Sequence, residues 1–212
     1  MKKLKLIIVA LTCIVYMSSA QETMLDKRNA LAVGLKVGTN YSNVYDSQGD
    51  KFAADSKFGF VAGGFLNIPL GTFVGLHPEV LFSEKGFHAT GGALGLTYDF
   101  TRTTRYIDVP LLLELKPSAF ISILGGPHYS YLLNQDDVFS SSITSVERQK
   151  DFTNDNIRKN IFGITTGIDI NISSFVMSVR ASWDLQNNNP DGTSTTPRYR
   201  NAWLQGTVGY KF

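Results

Sequence analysis

Three histidines are the residues of this chain best suited to metal binding or acid–base catalysis. They are His77, His88 and His128, and the only cysteine is Cys13. No two histidines stand at the HxH or HExxH spacing that places two ligands on one metal ion. No GxSxG turn offers a serine nucleophile either. The residue types therefore predict no catalytic, cofactor or metal site. A lipid-modifying enzyme that uses His88 and a loop serine remains an alternative.

Charged side chains recur at alternate positions of otherwise apolar stretches. In residues 105–115, Ile107, Val109 and Leu111 point one way while Asp108 points the other way. Charged residues alternate with apolar ones in six stretches in all. The last of these stretches ends with the aromatic residues Tyr210 and Phe212. The charges opposite the apolar stripe are Lys36, Glu79, Asp108, Glu114, Asp169, Arg180 and Lys211.

Residues 1–20 have the composition of an export signal peptide. A basic start is followed by an apolar run over 6–17 and then by the small residues Ser-Ser-Ala. We expect cleavage before Gln21 and a short periplasmic lead over 21–29. Cys13 lies within the apolar run, which disfavours the alternative of a lipoprotein anchor.

The exported chain would be nearly neutral and free of cysteine. Removing the leader takes three lysines and no acid from 20 basic and 18 acidic side chains, which leaves a net charge of −1. That balance argues against a nucleic-acid partner. Without disulfides, an exported chain must be stabilised by a large core or by a membrane. No later stretch reaches the ~18 apolar residues of a membrane-spanning helix, so a spanning form would cross as strands.

Eight stretches alternate between apolar and polar residues with the period of two that is typical of strands. They are 31–41, 57–68, 73–83, 105–115, 119–134, 158–170, 174–185 and 198–212. Tight turns are predicted at 69–71, 116–118 and 171–173. The long polar connections are 42–56, 84–104, 135–157 and 186–197, of which the second is compatible with strands that continue above a membrane.

This order of long and short connections predicts an all-β fold, an eight-stranded antiparallel up-and-down transmembrane β-barrel over 30–212 with both termini periplasmic. A soluble barrel of the lipocalin type also alternates, but it would bury its apolar face and expose its charges. Only an inside-out barrel would bury the alternating charges together in its lumen, where they can pair with one another. Side chains just fill an eight-stranded lumen, so the charges predict a structural plug. His77 and His128 would face this lumen, and His88 would lie in a loop.

Aromatic residues alternate on the outward face of several strands. They indicate either a girdle at the membrane interface or apolar filler on the same face, and both readings predict lipid contact. The last strand ends on Phe212 and must pair or leave an open edge. In a closed barrel it pairs with the first strand. The aromatics are Phe58, Phe60, Phe82, Tyr129, Tyr131, Trp183, Tyr210 and Phe212.

Five segments in this order resemble the PorT-like outer-membrane β-barrel family of Bacteroidetes-type bacteria. They are GLKVGTNYSNV at 34–44, FGFVAGGFLNIPLG at 58–71 with LHPEVLFSEKG at 76–86, YIDVPLLLELKP at 106–117, GGPHYSYLL at 125–133 and the ending VGYKF. The resemblance implies an eight-stranded barrel, inserted by the outer-membrane assembly machinery that reads the terminal aromatic strand of Tyr210 and Phe212. It implies no enzyme. Its name-giving member belongs to a protein secretion system.

The function expected from these features is that of a non-enzymatic barrel in the outer membrane. It would be a scaffold that presents four long external loops, alone or as part of an envelope or secretion complex, with membrane lipid as its other partner. A small transport or channel protein is the first alternative, and the lipid-modifying enzyme is the second. The composition of the loops names no ligand.

Overall fold

The computed structural model describes residues 27–48, 53–93, 96–141, 145–150, 157–188 and 198–212. The predicted leader at 1–20 lies outside the described residues, as does the lead up to residue 26. Within the described residues, no helix has the length and apolar character needed to cross a membrane. A 3₁₀ turn at Lys27–Asn29 precedes the strands β1 (Ala32–Gln48), β2 (Ala53–Pro69), β3 (Val74–Ala93), β4 (Leu96–Leu115), β5 (Ile121–Ser141), β6 (Ser145–Lys150), β7 (Asn160–Ile172), β8 (Phe175–Asp184) and β9 (Arg198–Lys211).

Eight of these strands close into a barrel. Each is antiparallel to its neighbours in the ring β1-β2-β3-β4-β5-β7-β8-β9, and β9 pairs with β1 to complete it. Strand β6 lies outside the ring, because it pairs with the end of β5 beyond Asn134. The predicted eight-stranded antiparallel barrel is confirmed. In this ring β3 stands opposite β8, and β4 stands opposite β9.

Three short turns join strands at one end of the barrel. In the β2–β3 turn, the amides of Leu70 and Gly71 donate to the carbonyl of Val74 at 3.0 and 3.1 Å. The β7–β8 turn is the tightest, and Ser173 in it adopts the left-handed conformation with φ of 53°. The amide of Phe212 donates to the carbonyl of Val33 at 2.9 Å, so the C-terminus lies at this turn end.

The opposite end contains more strand than the composition predicts. Strand β3 continues to Ala93 and β4 begins at Leu96, with pairs such as Phe87↔Arg102 in between. The connection 84–104 therefore continues as strands, which the sequence allowed. Strands β1 and β5 also run on beyond the predicted strand ends, so the predicted loops at 42–56 and 135–157 are wrong over these parts. The reason is that Thr and aromatic residues there find cross-strand partners. We call 84–93, 96–105 and 134–141 the strand extension.

The barrel has a polar interior and an apolar outer wall. Inward positions carry buried polar side chains such as Asn40, Ser83 and Thr165, while outward positions expose large apolar ones. This distribution is the reverse of a water-soluble barrel and fits lipid around the wall. Outward side chains include Val37, Phe60, Val80, Leu111, Leu113, Ile164, Ile168, Met177, Leu204 and Val208.

Candidate functional site

Most of the predicted lumen charges lie buried inside the barrel. Six of the seven side chains are only 2–4% exposed, namely Lys36, Glu79, Asp108, Glu114, Asp169 and Arg180. Lys211 is half-buried at the turn end, where its Nζ donates to Asn171 Oδ1 at 2.8 Å. Each position follows from the two-residue period of its strand, which turns alternate side chains inward.

Glu79 and Arg180 form the centre of the interior. Lys36 Nζ donates to Glu79 Oε1 at 2.8 Å, and Arg180 Nη2 reaches the same oxygen at 3.3 Å. Arg180 also makes two hydrogen bonds to Asp169, at 2.5 and 3.1 Å. His77 Nε2 stands 2.9 Å from Glu79 Oε1. Because Glu79 is on β3 and Arg180 on β8, this cluster spans the lumen.

A second charge pair links Lys85, at the start of the strand extension, to Asp108 in the barrel below it. Lys85 Nζ donates to Asp108 Oδ1 at 2.9 Å, and Ser130 Oγ donates to the same oxygen at 2.6 Å. The ammonium also stands 3.5 Å from the ring centre of Trp203 and 4.6 Å from that of Tyr106. Lys85 falls in the predicted connection 84–104 and was not among the predicted lumen charges, although it continues the alternate positions of His77, Glu79 and Ser83. That continuation was the signal that could have found it.

His128 joins a third buried group, between β5, β7 and β8. Its Nδ1 lies 3.0 Å from Thr165 Oγ1 and its Nε2 lies 3.3 Å from Asp184 Oδ1. Asn201 donates to the other oxygen of Asp184 at 2.6 Å. Both His77 and His128 therefore sit in the lumen, His128 within a hydrogen-bonded group and His77 beside the Glu79 carboxylate. No group of three or more His, Cys, Asp or Glu side chains arranged for a metal ion occurs within the described ranges.

The charged residue Glu114 lies apart from these clusters, at the turn end. Its Oε2 is buried and accepts no hydrogen bond from any described residue. Nearby, Lys116 Nζ donates to the carbonyl of Arg28 at 2.5 Å, and the Arg28 guanidinium lies 5.2 Å from the ring centre of Phe73. Arg28, just before β1, therefore contacts both the β2–β3 turn and the β4–β5 turn.

The strand extension has a small core of its own, built around Arg102. The guanidinium makes two hydrogen bonds to Asp137, at 2.7 and 2.8 Å, and a third to Tyr199 Oη at 3.1 Å. The rings of Phe87 and Phe100 lie 6.0 and 5.3 Å from its centre. Arg102 is 4% exposed and was missed from the sequence, although it continues the inward positions of Asp108 and Tyr106 along β4. The extension is therefore a packed sheet.

His88 lies in strand β3, so its predicted loop position is wrong. Its Nδ1 stands 2.8 Å from Thr101 Oγ1 and its Nε2 stands 3.2 Å from Asp99 Oδ2. The reason is the continued β3–β4 pairing, which sets His88 opposite Thr101. Its side chain is 35% exposed, on the outer face of the strand extension.

A row of ion pairs runs across four neighbouring strands just beyond the apolar wall. Lys57 pairs with Glu84 at 3.2 Å, and Arg105 pairs with Glu84 at 3.5 Å and with Asp136 at 2.6 Å. The predicted outward aromatics face away from the lumen below this row, with Tyr41 and Phe58 in contact at 4.8 Å. The row marks where the apolar wall ends and the strand extension begins.

At the level of Glu79 and Asp108, the described part of the interior leaves little free space. A cavity of about 10 Å³ lies between Glu79, Asp108, His128, Arg180 and Trp203. That volume is near the smallest that holds one water molecule. At the level of Glu79 and Arg180 along the barrel axis, side chains from opposite strands meet and fill the lumen.

Comparison with known proteins places this architecture in a family. A family model for the outer membrane protein beta-barrel domain matches residues 19–189. The chain belongs to this family. No curated protein sequence matches the chain.

Several solved outer-membrane proteins are similar to this chain. The attachment invasion locus protein Ail of Yersinia pestis is 15% identical with a TM-score of 0.48, covering 86% of this chain and 99% of Ail. OprG of Pseudomonas aeruginosa is 14% identical with a TM-score of 0.46, covering 89% of this chain and 99% of OprG. Neisserial surface protein A is 12% identical with a TM-score of 0.45, covering 86% and 97%.

Proposed function

We propose that this outer-membrane barrel is a non-enzymatic scaffold that holds the strand extension at the cell surface and conducts nothing through its lumen. In this arrangement the leader at 1–20 is removed on export and both termini face the periplasm. The three tight turns would face the periplasm as well, since outer-membrane barrels place their short turns there and their longer connections outside.

The observation that carries the proposal is the filled lumen. Arg180 on β8 meets Glu79 on the opposite strand at 3.3 Å, and Lys85 on β3 lies against Trp203 on β9 at 3.5 Å from its ring centre. This ion pair and this cation–π contact bridge the barrel, and they leave no continuous path for solutes at the level of the lumen where they lie. An eight-stranded barrel is narrow enough for its side chains to do this.

The strand extension supports the display role. In its core, buried Arg102 bonds to half-buried Asp137 and to Tyr199 of β9, so its shape is held without a ligand. A preformed surface loses little conformational entropy when a partner binds. Its outer face would meet proteins of the envelope or of the medium.

Conductance in a planar lipid bilayer tests the closed lumen. Protein refolded in detergent, with insertion verified by its heat-modifiable gel mobility, should give no stepwise current, while a general porin prepared alongside gives one. Reproducible unitary steps would overturn the scaffold proposal in favour of the alternative, a small transport or channel protein.

We further propose that the chain is one of the PorT-like members of its family and works within an envelope complex, with protein secretion as one candidate. The five motifs resembling that family support this assignment. In-cell crosslinking followed by mild-detergent purification tests it: other envelope proteins should be recovered at a fixed ratio. Recovery of the folded barrel alone would contradict the complex and leave a stand-alone surface protein.

The lipid-modifying enzyme is the alternative from another class, and it would depend on His88. The scaffold proposal expects an unchanged lipid profile on deletion of the gene and no effect of His88→Ala on any phenotype. A changed lipid profile that is restored by the native chain and not by His88→Ala would overturn the non-enzymatic proposal.

A further inference from the structure

Three buried donors in the centre of the lumen have no acceptor among the described residues. They are Arg180 Nε, Trp203 Nε1 and Gln205 Nε2. The three side chains are 2–5% exposed, so bulk water does not reach them. All three line the cavity of about 10 Å³ described above. Buried donors almost always have a partner, so three of them at one cavity indicate a bound ligand.

The opposite wall of this cavity supplies acceptors. Glu79 and Asp108 line it, on β3 and β4, while the three donors stand on β8 and β9. In the ring these strands face each other in the pairs β3 with β8 and β4 with β9. A ligand in the cavity therefore has hydrogen-bond donors on one side and carboxylates on the other.

The chemistry of both walls selects the ligand. A small anion would suit the three donors but would stand beside the carboxylates of Glu79 and Asp108. A cation would suit those carboxylates but would stand beside the Arg180 guanidinium. Water both accepts and donates, and the volume matches a single molecule.

We propose that one long-lived water molecule binds in this cavity and links the two opposite walls of the barrel. It accepts hydrogen bonds from Trp203 Nε1 and Gln205 Nε2, which its two lone pairs can take, and donates to Glu79 and Asp108. It stands between the Arg180–Glu79 pair and the Lys85–Asp108 pair, and so joins two charge clusters that make no direct ion pair with each other among the described residues. This inference goes beyond the scaffold role and does not depend on it.

The water site can be detected through the indole N–H of Trp203, because Trp203 faces the lumen while Trp183 faces the outer wall. Trp203 is 5% exposed inside the lumen and Trp183 is 41% exposed on the outer wall. We would record water-selected NOE and ROE spectra of the ¹⁵N-labelled native chain in lipid nanodiscs, with Trp183→Phe to assign the two indole signals. The expected result is a water cross-peak at the Trp203 indole with opposite signs in the NOE and ROE spectra, as for a water molecule that stays on the protein much longer than surface water does.

Two variants and a titration separate the outcomes. Gln205→Leu removes one donor at similar volume and should weaken the cross-peak, whereas Leu204→Gln on the outer face should not. Absence of the cross-peak in the native chain would overturn the proposal. So would a shift of the Trp203 indole alone on replacing nitrate with bromide, which would assign the cavity to an anion. A short-lived water contact would also overturn it. The conductance measurement tests the scaffold proposal independently. If unitary currents were observed together with a long-lived water at Trp203, the scaffold proposal would be refuted and the water site would stand.

Discussion

Most charged side chains of the lumen are buried in pairs, with Glu114 at the turn end as an exception, and the pairing sets what each substitution does. Arg180 is 2% exposed and bonds to both Asp169 and Glu79. Taking a charge out of water is costly, and the cost is offset only while its partner remains. A single substitution therefore leaves an uncompensated buried charge.

Replacing Arg180 with Met should lower the free energy of unfolding by about 3–5 kcal/mol, because Asp169 and Glu79 then face each other without their shared cation. Urea unfolding of the refolded barrel in lipid vesicles measures the change. Lys211→Met is the control, since that side chain is half-buried at the rim, and it should cost less than 1 kcal/mol (about the range of exposed pairs). Equal stability of Arg180→Met and the native barrel would contradict a structural role for the ion pairs.

Glycine allows the close pairing of β1 with β9 at the seam where the barrel closes. A Cβ added at Gly38 would collide with the carbonyl oxygen of Gly206 and the backbone of Thr207. Gly206 on β9, which pairs with Thr39 rather than with Gly38, points to the outer wall, where an added Cβ meets nothing within 4 Å. Two glycines on neighbouring strands therefore differ in what they tolerate.

Gly38→Ala should impair closure of the barrel, and Gly206→Ala should fold like the native chain. The reason is backbone contact at Gly38, which no side-chain rotation can relieve. The fraction that becomes heat-modifiable on a gel after refolding measures closure. A normal folded fraction for Gly38→Ala would show that the seam can widen at no cost.

The strand extension is held by one buried arginine with two strong partners. Arg102→Gln removes the paired bonds to Asp137 and should open the extension while the transmembrane part of the barrel stays closed, since local regions open independently of the whole. Hydrogen exchange of 84–93 and 96–105 should speed up by at least an order of magnitude, given that charged hydrogen bonds contribute about 1.5–3 kcal/mol. Arg105→Gln is the matched control on the same strand. Equal protection in both variants would contradict a core centred on Arg102.

At the scale of the whole molecule, stability depends on a lipid-facing wall around a polar interior. Leu111 lies midway along the membrane part of β4 and Leu115 lies at its turn end, both on the outer wall. Charge on such a wall is costly at the centre of the membrane and much less costly near its edge.

Leu111→Arg should cost about 2–4 kcal/mol and Leu115→Arg about 0–1 kcal/mol, following this dependence on depth. The comparison is made by urea unfolding in vesicles of one lipid composition. Similar costs at the two positions would place the centre of the membrane elsewhere on the barrel.

Much of this architecture is visible in the sequence. The alternation of Asp108 with Ile107 and Val109 assigns one face to the lumen and the other to lipid, because side chains of a strand point alternately to its two sides. The spacing of tight turns predicts the number of strands and their antiparallel order. Each of these signals lies within one strand or one turn, so it can be read without knowing the rest of the chain.

What only the tertiary structure decided is which groups meet. Arg180 and Glu79 are 101 residues apart, and they pair because closure of the ring sets β8 opposite β3. Lys85 and Arg102 lie in the predicted connection 84–104, whose Gly and Thr content left open where its strands end. The strands continue there because Lys85 pairs with Thr104 and Arg102 with Phe87. Composition is a local property, whereas pairing and lumen contacts depend on strand order, register and curvature, which arise only when the barrel closes.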